Sequence, residues 1–297
     1  MERRVIVILG PTASGKSALG VRLAKKFHGI VISADSRQVY KGMNIGTGKI
    51  TAKEMRGVPH FLLDVASPRG QYSVARYVRD VRRVLKKIDS STPVFLVGGS
   101  PFYIDALTKP DAYSPIPPDP KLRRRLAAKT TAQLIARLQA LDSGRAKTID
   151  PANRRRLIRA IEIASYQPPP LTRRGEEVVG VPPMRVLKIG ITRPKTMLHR
   201  NIDRRVDTRL RQGMIAEVRR LHRHGLSWKR LDDFGLEYRY LSRYLRGQIA
   251  KTEAVRQLKS AIHDFAKRQM TWWKRDQDIG WVTKGQQTDK LVRTFLP

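Results

Sequence analysis

Cysteine is absent from this chain of 297 residues, which excludes disulfide staples, a cysteine-based zinc site and thiol nucleophiles. Acidic residues are scarce: 25 Asp and Glu stand against 60 Lys and Arg, a formal net charge of +35. That excess goes beyond what solubility needs and points to a polyanionic partner, either nucleic acid or an anionic membrane surface. Long apolar runs are also missing. The stretch VIVIL at 5–9 falls far short of the ~20 residues a membrane span requires. No apolar secretory stretch precedes it, so a soluble, cytoplasmic protein without a membrane partner is expected. Histidines number six, and His222 and His224 sit two apart, poor spacing for a helical metal pair, so no structural metal is expected. No internal repeat is visible. The length suits one large domain or two modest ones.

What is present begins with GPTASGKS at 10–17. It fits the phosphate-cradling pattern G-x-x-x-x-G-K-[ST], with Gly10, Gly15, Lys16 and Ser17 at the required places and Pro11, Thr12, Ala13 and Ser14 between the glycines. The loop follows a β-branched run, RVIVILG, and precedes KSALGVRLAKKF, whose apolar residues recur at helical spacing. Strand, glycine loop and helix is the context that makes such a motif credible. Loop N–H groups and the helix dipole then favour an anion. GIVISAD at 29–35 reads as a second strand, 72–88 as an amphipathic basic helix, and TPVFLVGGS at 92–100 as a third buried strand. This order predicts an α/β fold: a P-loop NTPase-like parallel sheet with flanking helices. Ligands in such sheets bind beyond the carboxyl ends of the strands, so Ser14, Asp35 and Ser100 are expected to share a crevice.

The pattern changes near 109. KPDAYSPIPPDP at 109–120 reads as an ordered connector, 121–166 as wholly helical, and QPPPLTRRGEE at 167–177 as its close, with a mobile stretch at 173–180. RVLKIGITR at 185–193 returns to a strand, and the remainder is mostly helical over 194–224, 236–245 and 253–274. The expectation is a catalytic core, 1–110 and 181–297, carrying an inserted all-helical subdomain at 111–180.

The loop alone does not say whose phosphates it grips. Phosphate-loop hydrolases usually hold Mg²⁺ with an Asp at the end of an apolar strand, whereas this third strand ends in Gly-Gly-Ser. Asp35 could be a Mg²⁺ partner or a base aimed at a second substrate. Gln38 can pair with an adenine edge, and Tyr40 can stack on a base or sit in the core. NRRRLIRAIE places Arg155, Arg156 and Arg159 along a helix, as a solvated face or a phosphate-contact stripe. In FAKRQMTWWKR, Lys267, Arg268 and Gln269 are interleaved with Trp272 and Trp273, a mixture that suits looped nucleic acid unless the tryptophans are core. Arg204 and Arg205 could reach a pyrophosphate, and His60 reads as structural. Three functions fit at this level: group transfer to RNA, a small-molecule kinase, and an NTP-switched RNA-binding module.

Taken together, GPTASGKS, SADSRQVYKGMNIGTGK, GVPHFLLD, VGGS, DPANRRRLIRAIE, RVDTRLRQGMIAEV, FGLEYRYL and AKRQMTWW resemble the tRNA dimethylallyltransferase (tRNA isopentenyltransferase) family in order and spacing. The resemblance implies that the loop, residues 10–17, holds the diphosphate of dimethylallyl diphosphate. It implies an acceptor too, N6 of the adenosine just 3′ of the anticodon in a tRNA anticodon stem-loop. Asp35 falls at the family's general-base position, Ser17 at the Mg²⁺-contacting hydroxyl and Arg205 at a pyrophosphate contact. Ser36, Gln38 and Ser100 fall where the family contacts the flipped adenine, and Asp35 and Arg37 count with them as tRNA-binding. Arg155, Arg156, Arg159, Lys267, Arg268 and Gln269 fall at tRNA-contacting places, with Ser100 also read as catalytic. Mg²⁺ is the expected cofactor, and no stable protein partner is expected. A free adenine nucleotide as acceptor is a close variant. The chain departs from the family's usual pattern at VGGSPFY, at Asn201-Ile202 and at IGTGK, where IGTAK is more common.

Overall fold

The computed structural model describes residues 2–109, 114, 116, 118–166, 184–283 and 286–296. The expected closing segment at 167–177 and mobile stretch at 173–180 lie outside them, as does much of the connector at 109–120. The chain divides into two compact units, Met1–Pro110 with Val181–Pro297, and Asp111–Gly180.

The first unit is built on β1 (Arg3–Leu9), β2 (Ile30–Ala34), β3 (His60–Phe61), β4 (Val94–Gly98), β5 (Met184–Ile191) and β6 (Ile279–Val282), paired in the order β3-β2-β4-β1-β5-β6. Every pairing is parallel. Parallel strands are covered on both faces and read as continuous apolar runs; IVISA and VFLVG are buried at every position. The helices begin with α1 (Lys16–Lys26), α2 (Ala52–Met55), α3 (Val74–Lys87) and α4 (Pro101–Thr108). The second unit contributes α5 (Pro120–Ala127), α6 (Thr131–Leu141), α7 (Ser143–Thr148) and α8 (Arg154–Ala164). The first unit resumes with α9 (Lys195–Arg211), α10 (Met214–Arg223), α11 (Trp228–Phe234), α12 (Leu236–Leu245), α13 (Lys251–Trp273) and α14 (Gln286–Phe295). α3 shows the logic of the cover. Tyr77, Val78, Val81 and Leu85 turn inward at helical spacing, and Ser73 caps the start by accepting from the Arg76 N–H. The helical stretch expected over 194–224 is two helices, because Gly213 at φ 97° takes the left-handed conformation that ends a helix.

The register positions the site. Ser33, Val97 and Ile8 are level across β2, β4 and β1. The chain therefore leaves these neighbouring strands at Asp35, Gly99 and Gly10 along one carboxyl edge, with strands ~5 Å apart. β4 can lie this close to β2 only as glycine: a Cβ on Gly98 would stand 2.1 Å from the Ala34 carbonyl oxygen.

The second unit has its own core of Leu122, Leu126, Leu134, Leu138, Leu157, Ala160 and Ile161. Its helices start on Asp119, on a Thr130–Gln133 capping box, on Asp142 and on Asn153. Buried Glu162 ties it together, accepting a fork from Arg123 (both bonds 2.9 Å), a bond from Arg159 and the Asp119 N–H at 2.6 Å. Burial opposes ionisation of Glu162, but these donors hold its carboxyl below the usual range.

Candidate active site

The loop at 10–17 is shaped by backbone conformations that few residues adopt. Gly10 has φ 144°, and a Cβ there would stand 2.7 Å from the Ile191 carbonyl oxygen. Ala13 is held at φ 61°, a strained position for a residue with a Cβ. Gly15, left-handed at φ 96°, starts α1 with no side-chain cap, so the first-turn N–H groups are left for an anion. Ser14 is buried and its Oγ has no hydrogen-bond partner among the described residues. Ser17 is exposed and, with Lys16, lines a cavity of about 1110 Å³ whose far wall is Arg204, Arg205, Thr208 and Arg209. Arg205 donates to Thr12 Oγ1 at 3.2 Å, and Lys16 Nζ to the Pro11 carbonyl at 3.2 Å. Among the described lining residues the sole carboxylate is Glu54, so the wall is strongly cationic. Burial, then the Arg205 charge, pulls Lys16 down to about 8, with Asp35 opposing. Burial likewise lowers Arg205, against the pull of Glu237 and Asp35.

Asp35, Ser36, Gln38 and Ser100 form a second cluster beside this cavity rather than part of its lining. Asp35 Oδ1 accepts from the N–H groups of Arg37 (2.8 Å) and Gln38 (3.3 Å). Ser100 Oγ accepts from the Ser36 N–H at 2.9 Å, and the Ser100 N–H reaches the Ala34 carbonyl at 3.2 Å. Gln38 Nε2 donates to the Gly48 carbonyl at 3.1 Å. Tyr77 and Tyr103 stack at 4.0 Å next to this cluster, Tyr77 donating to the Ser33 carbonyl. Arg37 lies over the Phe234 ring. Tyr40 is core: its ring packs edge-on against Phe234 and its hydroxyl accepts from the Tyr72 N–H. His60 Nδ1 bonds the Val58 carbonyl and is structural.

Gln269 corrects the sequence expectation. It is 4% exposed, and its amide accepts from the Thr12 N–H at 2.9 Å and donates to the Gly99 carbonyl at 2.7 Å. It braces the phosphate loop against the end of β4, and its burial turns it away from an RNA at the surface. Lys267 and Arg268, by contrast, are exposed on α13. The basic-aromatic mixture thus separates: Trp273 is fully buried, and Trp272 donates to Asp105 Oδ2 at 2.8 Å while packing on Phe102. In the second unit Arg155 and Arg156 are exposed. Arg159 is instead half-buried, spent on Glu162 and the Ile116 carbonyl, which removes it from the proposed phosphate stripe.

Two participants escaped sequence reading. Glu217 on α10 accepts the N–H groups of Asn44, Ile45 and Gly46 and the Tyr238 hydroxyl, fixing the loop between the two clusters. Arg209 shares the cavity wall with Arg205. Their spacing of four along α9, which puts both on one helix face, was the available signal. The described residues hold no group of three or more His, Asp or Glu able to bind a metal, and no helix among them is long and apolar enough to cross a membrane.

Comparison with known proteins gives this geometry relatives. The family described as IPP transferase matches residues 38–276. A tRNA dimethylallyltransferase 2 of Citrifermentans bemidjiense is 43% identical over 284 residues, covering 94% of this chain and 90% of that protein. The crystal structure of a full-length tRNA isopentenylpyrophosphate transferase from Bacillus halodurans aligns with a TM-score of 0.74 at 32% identity, over 99% of this chain and 97% of that one. A eukaryotic dimethylallyltransferase captured acting on tRNA shares the fold, with a TM-score of 0.76 at 22% identity over 99% of this chain and 78% of that one.

Proposed function

The chain belongs to the IPP transferase family, the tRNA dimethylallyltransferases, and from that premise we propose how its residues divide the reaction. The protein transfers the dimethylallyl group of dimethylallyl diphosphate to N6 of the adenosine 3′-adjacent to the anticodon in tRNA, giving N6-isopentenyladenosine and diphosphate. The observation that carries the assignment of roles is the level exit of β1, β4 and β2. It sets the uncapped start of α1 and a carboxylate on the same carboxyl edge, with β4 between their strands.

The allylic donor's diphosphate is read into the cavity against the loop N–H groups, Lys16 and Arg205. The C–O bond to diphosphate breaks as N6 bonds to the allylic carbon, so negative charge gathers on the leaving group while these cations face it. The adenine amine is a poor nucleophile, because its lone pair is delocalised into the ring. Asp35 takes its proton as the C–N bond forms. Both backbone bonds to Asp35 fall on Oδ1, which orients the carboxylate and leaves Oδ2 for the proton. Ser100 acts by holding Ser36 in place, and Gln38 presents its remaining amide oxygen to the adenine edge. The acceptor adenine has to leave its stack, at a cost of a few kcal/mol.

Mg²⁺ needs only one or two protein oxygens when substrate phosphates complete its octahedron. The exposed Ser17 hydroxyl beside the loop fits that donor set, and the lack of an acidic cluster among the described residues does not conflict with it. When bound, Mg²⁺ supplies charge neutralisation at the diphosphate. Arg155, Arg156, Lys267 and Arg268 are read as contacts to the tRNA backbone, in keeping with the +35 charge and with a cytoplasmic protein. The kinase alternative is not favoured: it could use the loop and Asp35, but it leaves the +35 charge, the helical second unit and the relatives' names unexplained.

A transfer assay tests this reading. Labelled dimethylallyl diphosphate, Mg²⁺ and unmodified tRNA are mixed with the protein, with ATP and adenosine monophosphate in parallel reactions. Label on the anticodon-adjacent adenosine is expected. Label on the free nucleotide alone, or ATP consumption without prenyl transfer, would overturn it.

A further inference from the structure

We propose that Gly48 and Arg209 are a matched pair: the missing side chain at 48 makes room for a third guanidinium-bearing wall residue, which biases the pocket toward a diphosphate over a monophosphate. The inference rests on the diphosphate reading of the cavity and deepens it.

The packing is explicit. Gly48 has φ +58°, and a Cβ built there would lie 1.4 Å from Arg209 Nη2 and 2.3 Å from Arg205 Nη2. The arginine therefore fills the space an alanine methyl would take. In this chain the guanidinium and a side chain at 48 exclude one another. Arg209 is 7% exposed yet lines the cavity. Its Nη1 is tied to the Gly46 carbonyl at 3.2 Å and to Glu237 Oε1 at 3.3 Å. Its Nη2, over Gly48, has no hydrogen-bond partner among the described residues. One nitrogen anchors the group and the other remains a donor at the wall.

The charge balance agrees. Burial, then Arg205, lowers Arg209 to about 10, and Arg209 in turn depresses Lys16. Glu237, the carboxylate beside the pair, is itself pushed up by burial. Three like charges around one cavity, Lys16, Arg205 and Arg209, with Glu237 the carboxylate paired to Arg209, are relieved most by a compact anion bearing several charges. A monophosphate engaged by the loop and Lys16 is too short to use the additional cation fully, whereas a second phosphoryl group can.

The test measures inorganic diphosphate and inorganic phosphate binding by calorimetry for the wild type, Arg209→Met, Gly48→Ala, the double variant and Lys16→Ala. Arg209→Met is expected to weaken diphosphate at least about tenfold and phosphate less than about threefold, shrinking the discrimination between them. Gly48→Ala leaves Arg209 in the sequence but displaces its guanidinium, and is expected to shrink the same ratio. The double variant should be no weaker than the worse single one, because both changes remove one interaction. Gly48→Ala also guards against misfolding in Arg209→Met, since it reaches the same conclusion without deleting the arginine, and thermal melts check both. An unchanged diphosphate-to-phosphate ratio in Arg209→Met, or losses that multiply in the double variant, would overturn the pairing. If Lys16→Ala also leaves diphosphate binding intact, the diphosphate reading of the pocket fails as a whole.

Discussion

The cavity of the first unit and helix α8 of the second are both built on basic side chains, but use them in opposite ways. In the pocket, burial and then mutual repulsion hold Lys16 near 8 and Arg209 near 10. On α8, Arg155 and Arg156 face solvent, while Arg159 is neutralised by Glu162. Charges at a buried wall are poorly screened and favour a small, dense anion. Exposed charges are screened within a Debye length of about 10 Å at 0.1 M salt, and suit an extended polyanion bound through counterion release. One basic composition thus suits two kinds of anion, separated by depth of burial.

The sharpest way to break the comparison is at the carboxylate beside the pocket. Asp35→Ala is expected to lower single-turnover transfer by about 10²–10⁴-fold, with tRNA affinity held within about twofold in a filter-binding assay. A large loss of tRNA binding with normal turnover at saturation would remove Asp35 as the base. Next comes pH. Lys16 has its folded value near 8, below its ordinary 10.5, so the folded site loses this proton first while the unfolded chain still holds it. Between those values Lys16 raises stability with increasing pH, and over the same window the site loses a cation. Diphosphate affinity is therefore expected to fall up to about tenfold per pH unit above about 8. Titrations in buffers of different ionisation heat should show proton uptake on binding near that pH. A flat affinity from pH 7 to 9.5 would show Lys16 to be no part of the contact.

Smaller effects sharpen the contrast. Raising salt from 50 to 200 mM is expected to weaken tRNA binding steeply, by an order of magnitude or more, and inorganic diphosphate binding only a few-fold. Equal slopes would erase the distinction between the two regions. Arg155→Ala with Arg156→Ala is expected to weaken tRNA several-fold and reduce the salt slope by about 1 to 2, with diphosphate affinity unchanged. Arg159→Ala, by contrast, should lower the melting temperature, because it strips a partner from buried Glu162.

The parallel sheet, the loop at 10–17 and the neighbouring positions of Asp35 and Ser100 were legible because they rest on local signals: continuous β-branched runs, glycines at fixed offsets and strand ends. The edge strands β3 and β6 were not, being only His60–Phe61 and Ile279–Val282, too short to carry periodicity. Gln269 and Arg159 looked like RNA contacts because sequence shows chemistry without direction. Each turns inward to a partner far along the chain, or to a carboxylate one helical turn away. Glu217 was illegible, and Arg209 readable only as a face-mate of Arg205, for a related reason. Their partners, Gly46 and the N–H groups of Asn44 to Gly46, are more than 150 positions away, and only the folded chain brings them together. Gly98 and Gly99 were visible as a turn. Their cause, the Ala34 carbonyl on one side and the Gln269 amide on the other, was not.

Gln269 also sets how this protein can drift. Its position requires a side chain that offers one acceptor and one donor at the same reach, to the Thr12 N–H and the Gly99 carbonyl. Asparagine is a methylene too short, glutamate would face a carbonyl with no proton to give, and methionine supplies neither function. A cavity-free apolar replacement would strand two backbone groups at once. Position 269 is therefore a near-immovable letter beside exposed neighbours: the side chains of Lys267 and Arg268 have no such bonds to keep among the described residues and can be rewritten, while the residue beside them holds the loop at 10–17 in place.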